Sequence, residues 1–476
     1  MSLNPLFRAA ILAAASIALP CLAADGDPDP GFGVGGISYV TPDDLDAREI
    51  MPVVAIELPD GKLLFGGTRN KIVEGSPWFE PQIRAALVRL NADGSPDAGF
   101  GNTTIPGLFE LPDLVAGTRM QGIESMARLD DGSLIAVGTG MVNAPARGFI
   151  VKFDADGTLD ATYGGGGTVL LPEFYPHAVA IDGQGRALVG GERFDPLGFI
   201  YTSTVIRFDV DGTPDPAFGD GGNVSITWGD AQLSGYVSDV KAVAGDGVVV
   251  GGGYEAYGVG MGSDYAIARL DADGGFDATF AGSGWTVFDD AADASNSNRV
   301  HKLAVSADGR IAFTGYHASG ENMTGLVLGR LAADGSLDAG FGDASTPGFL
   351  APAVLPTAQN VNPTALLLQD DGKLLVSASY FALPDRQGFF ALRTTADGQL
   401  DPGFAAAGVF EGDLAPDGSY SESSAMTVQA DGRIVLAGRA MRSPDSPIVD
   451  FAAIRLLSAG GVADRIFADG FEAESP

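Results

Sequence analysis

The stretch DGSPDAGF, Asp93 to Phe100, decides how the chain is read, because its pattern Asp-Gly-x-x-Asp-x-x-Phe returns at a nearly constant interval. Copies begin at Asp25, Asp93, Asp156, Asp211, Asp273, Asp334 and Asp397, with Tyr163 in place of Phe in the third, and a degraded copy is Gly460-Gly461, Asp464, Phe467. Successive spacings are 68, 63, 55, 62, 61, 63 and 63 residues, so eight markers enclose seven units. Such periodicity is the signature of a repeat architecture.

Inside every unit lies a second turn between two apolar runs, with glycines at Gly61, Gly132, Gly185, Gly247, Gly309, Gly372 and Gly432. Asp-Gly between apolar runs is the strongest short hairpin signal, because both residues tolerate positive φ. A third run, carrying Arg89, Lys152, Arg207, Arg269, Arg330, Arg393 or Arg455, precedes each marker, and a fourth, such as GISYV at 36–40, follows it. Four short strands repeated seven times without helical periodicity predict an all-β fold: a seven-bladed β-propeller of four-stranded blades over residues 25–459. The last unit lacks a fourth strand, so the N-terminal strand is expected to close the ring by completing blade seven. Both Asp-Gly turns then fall on one face, while the variable connections, such as 68–82, 226–239 and 288–301, share the other, where binding is expected.

These motifs resemble the delta-60 repeat family of exported bacterial proteins over about residues 25 to 471. The resemblance implies a propeller and supplies no catalytic residues. Departures are Gly460 for Asp, Gln184-Gly185 for one Asp-Gly turn, and an extra residue after Arg455. Residues 460–476 hold the degenerate motif and a C-terminal tail.

Arg8, the apolar run from Ala9 to Leu19 and the small residues before Asp25 predict a signal peptide over 1–24, hence a periplasmic or extracellular protein. No later run is long enough for a transmembrane segment. Cys21 is the only cysteine, so the mature chain has no disulfide. With 28 Lys and Arg against 61 Asp and Glu, the formal charge is −33, which excludes a nucleic-acid binder working through a basic surface.

Two readings of the acids stand side by side. Asp154-x-Asp156-Gly157-x-x-Asp160 and its counterparts at Asp209 and Asp271 gather carboxylates as calcium likes them, but without the bidentate Glu of an EF-hand loop. Alternatively, the second Asp caps backbone amides or pairs with the recurring Arg. Aligning the first strands eight residues before their turn glycines gives Val53, Glu124, His177, Asp239, His301, Thr364 and Ser424, a ring at the channel mouth. Glu124, His177, Asp239 and His301 could there hold a transition metal or polarise a substrate. Trp78, Phe79, Tyr254, Tyr257, Tyr316 and Tyr380 follow the second strand of several blades and either stack on a ligand or pack between blades.

No His-Glu-x-x-His, Gly-x-Ser-x-Gly or P-loop is present. The expected function is an exported binding module for a protein, glycan or envelope component. The alternative is a hydrolase or lyase with a metal or substrate at the channel mouth.

Overall fold

The computed structural model describes residues 24–458 apart from 43–46, 73–80, 119, 142–145, 196, 198–199, 229–233, 256–263, 289–297, 319–323, 353–357, 383–385, 416–419 and 442–447. Residues 1–23 of the expected signal peptide, Trp78, Phe79, Tyr257 and the residues after 458 lie outside the described residues.

The strands fall into consecutive groups of four, each an antiparallel meander. The first unit runs Ala47–Glu57, Leu63–Ile72, Pro81–Leu90 and Leu108–Glu110. The second is Met120–Arg128, Leu134–Met141, Ala146–Phe153 and Thr168–Pro172, joined to the first by one parallel pair, Ile83 with Met120. The third is Phe174–Ile181, Ala187–Asp195, Ile200–Phe208 and Asn223–Ile226; the fourth is Ser234–Val243, Gly247–Glu255, Tyr265–Leu270 and Trp285–Phe288. The fifth is Arg299–Val305, Ile311–Ala318, Thr324–Leu331 and Phe349–Leu350; the sixth is Ala358–Leu368, Leu374–Ala382, Arg386–Thr394 and Val409–Gly412. Tyr420–Val428, Ile434–Met441 and Asp450–Leu456 form the last sheet, whose fourth strand is Ile37–Val40, paired with Ile454 to Phe451.

The apolar core is divided among the seams between units. Phe100, Leu87 and Leu64 of the first unit pack with Ile123, Ala136 and Phe149 of the second. Leu188 and Val205 of the third pack with Val240 and Val250 of the fourth. A cluster of the same kind joins Val435 and Phe451 of the last sheet to Phe65 and Val88 of the first unit, with Phe32 and Val40 from the N-terminal segment. Both faces of the middle strands are therefore covered, which is why runs such as Leu134 to Val137 and Val248 to Val250 are apolar at every position.

The marker is the fastening between units. Arg89 donates through Nε to Asp97 Oδ2 at 2.8 Å, lies over the Phe100 ring at 4.2 Å, and donates through Nη1 to Ala155 O of the next marker at 2.8 Å. Arg207 repeats this with Asp215, Phe218 and Ala272 O, and Arg269 with Asp277, Phe280 and Ala333 O. The other oxygen of each second Asp caps its own turn, as Asp97 Oδ1 does from Gly99 N at 3.0 Å. Glycine is required after the first Asp because the preceding unit's aromatic ring lies against it. A Cβ on Gly94, whose φ is +82°, would come within 2.7 Å of the Phe32 ring.

Arg455 finds its marker at the other end of the chain. Its Nε meets Asp29 Oδ2 at 2.9 Å, 426 residues away, its guanidinium covers Phe32 at 4.6 Å, and Nη1 reaches Ala92 O of the first unit at 2.5 Å. Because this pair is buried, Arg455→Ala leaves the Asp29 carboxylate with only the more exposed Arg433 and is expected to cost up to about 3 kcal/mol. Lys152→Ala, whose ammonium stands 3.9 Å from Asp160, is expected to cost less than about 1 kcal/mol. Urea unfolding of both variants measures the difference, and equal losses would remove the clamp as the fastening.

Candidate functional site at the channel mouth

Every first strand carries a β-bulge near its entrance, a residue left out of the pairing and so able to turn its side chain away from the sheet. The register shifts fall between Pro52 and Val54, Ile123 and Ser125, Pro176 and Ala178, Val237 and Asp239, Val300 and Lys302, Pro363 and Ala365, and Ser423 and Ala425. The bulged residues are thus Val53, Glu124, His177, Ser238, His301, Thr364 and Ser424. Six of them are the positions expected from the alignment.

Asp239 is not one of them. In the fourth unit the hairpin is tighter, Val243 pairing with Gly247, and Asp246 with φ +61° takes the place that the turn glycine occupies elsewhere. Gly247 therefore begins the next strand, and the register moves by one. Asp239 lies past the bulge, 5% exposed, where Oδ2 accepts Leu303 N of the fifth unit at 2.8 Å and Oδ1 accepts Lys241 Nζ at 3.2 Å. Among the described residues, no three of His, Cys, Asp and Glu converge as a metal-binding group, so the set Glu124, His177, Asp239 and His301 does not form one.

The structure instead pairs three of the bulged side chains, Glu124, His177 and His301, with a neighbour on the second strand, one place past the glycine opposite the bulge. His177 Nε2 meets Glu192 Oε2 at 2.5 Å, with Glu192 5% exposed. Glu124 hydrogen-bonds Thr139. His301 packs on Tyr316 with ring centroids 4.9 Å apart. Arg299 stands beside this last pair, its Nε 3.4 Å from His301 Nε2 and its guanidinium 5.3 Å from the Tyr316 centroid. Glu192 and Arg299 were missed by the sequence reading. The usable signal for Glu192 was its place directly after Gly190-Gly191 in the second strand; Arg299 stands on the first strand, two residues before His301.

The surroundings drive the two histidines apart. Burial works against a charge on His177, but the hydrogen bond and charge of Glu192, helped by Glu124, outweigh it and raise the imidazole above 6.5. His301 has no such partner; burial, Arg299 and Lys302 push it down to about 3. Burial also raises Glu124, against the pull of His177, Thr139 and Lys302, and it lowers Lys302. These interactions place side chains of the second to fifth units in one electrostatic cluster. It holds an imidazole whose charged form Glu192 favours, an imidazole that burial keeps neutral, the Arg299 guanidinium and the carboxylates of Glu192 and Glu124, a set suited to holding a polar group and to proton transfer.

The aromatic candidates separate. Tyr380 is 4% exposed, and its hydroxyl donates to Glu411 Oε1 at 2.6 Å, so it packs between units rather than facing a ligand. Tyr254 donates to Asp264 Oδ2 at 2.9 Å and leans on the seam of the third and fourth units. Among the described candidates, Tyr316 alone joins the cluster. A half-buried group that sequence reasoning did not assemble, Tyr175, Tyr201 and Phe194, lies at the His177 end of the third unit; Tyr201 is 6.0 Å from Tyr175 and 5.1 Å from Phe194. The carboxylates of the calcium reading serve turns: Asp156 Oδ1 accepts Thr158 N at 3.0 Å, and Asp271 Oδ1 accepts Asp273 N at 3.0 Å and Gly275 N at 2.8 Å.

Four segments, 58–100, 129–163, 244–280 and 369–404, match the family described as "Domain of unknown function (DUF5122) beta-propeller", each running from an inner hairpin to a marker aromatic. The chain is a β-propeller protein. It is similar to a crystal structure of a protein of unknown function from Dyadobacter fermentans (14% identity, 75% of this chain and 98% of that one, TM-score 0.44). It is also similar to a PL25 ulvan lyase bound to a GlcA–Rha3S saccharide (10% identity, 89% and 96%, TM-score 0.48). No curated protein matches the sequence. No helix among the described residues is long and apolar enough to cross a membrane.

The two histidines are expected to titrate far apart in NMR of the folded protein, His177 above pH 6.5 and His301 near pH 3, with Glu192→Gln lowering the His177 value. The stability from His177 is fully present below about pH 6.5, the unfolded value, and is lost as pH rises through its raised folded value. The stability from neutral His301 is present above about pH 6.5 and lost as pH falls toward 3. Thermal melts of His177→Asn should flatten the first limb and those of His301→Asn the second; interchanged effects would refute the assignment.

Proposed function

We propose that the chain is an exported, seven-bladed propeller closed by its N-terminal strand, and that it acts as a binding module for an anionic extracellular glycan or envelope component. The ligand sits at the channel mouth on the variable-loop face. The observation that carries this reading is the Arg299 guanidinium, 5.3 Å from the Tyr316 ring and beside His301, in the same cluster as His177, whose charged form buried Glu192 favours, in a chain of net charge −33. A strongly acidic protein that gathers cations at one concave mouth favours an anion there and repels it elsewhere. Tyr175, Phe194 and Tyr201 add flat apolar faces on which sugar rings stack, next to the polar groups that would fix their orientation.

The closed ring is supported by the seventh-to-first contacts. Besides Arg455, Glu57 accepts Gln429 Nε2 at 3.2 Å and Ala430 N at 2.7 Å, Arg439 pairs with Glu49, and Ser424 donates to Pro52 O.

A second reading, an enzyme at the same mouth, is favoured by the opposite pKa shifts of His177 and His301, one toward an acid and one away from it. Binding of uronic-acid and sulfated oligosaccharides, followed by calorimetry and by chromatography of the recovered saccharide, separates the two. The binding module predicts saturable binding of acidic oligosaccharides, weaker by tenfold or more in Arg299→Ala and His177→Ala, with the saccharide recovered intact. Shortened saccharide, with cleavage lost in His301→Ala, would establish the enzyme. Equal affinity for neutral and acidic saccharides, or for wild type and Arg299→Ala, would sink the anionic site.

A further inference from the structure

On the opposite face, among the marker turns, the fourth, fifth and sixth units enclose a cavity of about 970 Å³. That is the size of a small-molecule site. Val243, Val305, Leu366 and Leu368 from the first strands give it an apolar floor, and charged side chains around them include Asp277, Arg269, Asp271, Asp308 and Asp370.

The repeat shows what is missing there. In five units the residue after the inner turn is basic and places a second cation on the marker Asp, in addition to the clamp Arg. Lys62 Nζ is 3.1 Å from Asp97, Arg186 Nη1 3.3 Å from Asp215, Lys373 Nζ 3.4 Å from Asp401 and Arg433 Nη1 3.1 Å from Asp29; Arg310 Nη1 is 4.0 Å from Asp338. By the register of Val248 with Leu270, the equivalent residue of the fourth unit is Gly247, which has no side chain. In the second unit Ser133 stands there and bonds to Asp131.

Asp277 Oδ1 takes Thr279 N at 2.9 Å and Thr279 Oγ1 at 2.6 Å, and Oδ2 takes Arg269 Nε at 2.8 Å. Its side chain is 27% exposed, against 9% for Asp97 and 7% for Asp215. The cations around the cavity are already committed: Arg269 to Asp277 and Ala333 O, Arg310 to Asp308, Arg330 to Asp338, and Lys241 to Asp239. A carboxylate thus faces an apolar chamber from which one cation of the repeat has been removed.

We propose that this cavity binds a small organic cation, a primary ammonium or guanidinium on an apolar arm, whose charged end takes the place of the absent Lys or Arg beside Asp277. The arm lies over Val243, Val305 and the leucines of the sixth unit. The mature surface, acidic overall, draws such a ligand in.

The probe is n-hexylamine, titrated calorimetrically into the mature protein beside hexanoate, hexanol and methylamine. Saturable binding of hexylamine is expected, with hexanoate and hexanol silent and methylamine at least tenfold weaker. Asp277→Asn, and independently Ala307→Trp on the exposed rim turn, should each weaken hexylamine at least tenfold. Should Asp277→Asn fail to fold, Ala307→Trp keeps the test, because diffuse attraction to an acidic surface is unaffected by a plugged cavity. Hexanoate binding as well as hexylamine, hexylamine affinity unchanged in Ala307→Trp, or no hexylamine binding would each overturn the proposal.

Discussion

The guanidinium that joins a marker's second Asp, its aromatic ring and the next marker's carbonyl is the contact on which the rest of this molecule depends. Each four-stranded sheet is too small to bury both of its faces alone, and the seams that cover them are apolar and without direction. The Arg supplies the direction. It fixes how far one unit is turned from the next through a charge-assisted bond on one side and a carbonyl on the other. Phe or Tyr beneath it fills the space, and glycine in the following marker admits the ring. Four residues of an eight-residue motif are thereby spent on geometry, and the two Asp positions of its seven complete copies account for 14 of the chain's 61 acidic residues.

The same motif explains what could be read in advance. The marker and the inner turn are dictated by backbone conformation, so Asp, Gly and the aromatic stand at fixed places in every copy. The strand order, and the return of Ile37–Val40 to pair with Asp450–Leu456, follow from counting. The fourth unit defeated the counting. Its Ala244-Gly245-Asp246-Gly247 offers two glycines, and the eye takes the Asp-Gly pair as the turn, whereas Asp246 itself adopts the positive φ. A shift of one residue in a strand exchanges its two faces, which is how buried Asp239 came to stand in a ring that Ser238 occupies.

At the bulges of the first strands, the positions were legible and the partners were not. His177 and His301 could be placed because a bulge recurs at a fixed distance from the turn. That one is bound to a carboxylate and the other packed beside a guanidinium depends on the second strand and on Arg299, two residues away on the same strand but across the bulge. Aromatic residues were harder still. Tyr380 and Tyr175 look alike in sequence, yet one closes a seam and the other stands half-open beside the mouth.

Completing the last sheet with the first strand has a consequence for how the protein comes into being. A chain is made from its N-terminus, so Asp29 and Ile37–Val40 exist for the whole of synthesis before Arg455 does. Contacts so distant in sequence form slowly, and until they form the first unit has no neighbour on one side and the third strand of the last has an open edge, a surface prone to pair with other chains. Mutual repulsion among acidic chains would keep such incomplete molecules apart while they wait for their own ends to meet.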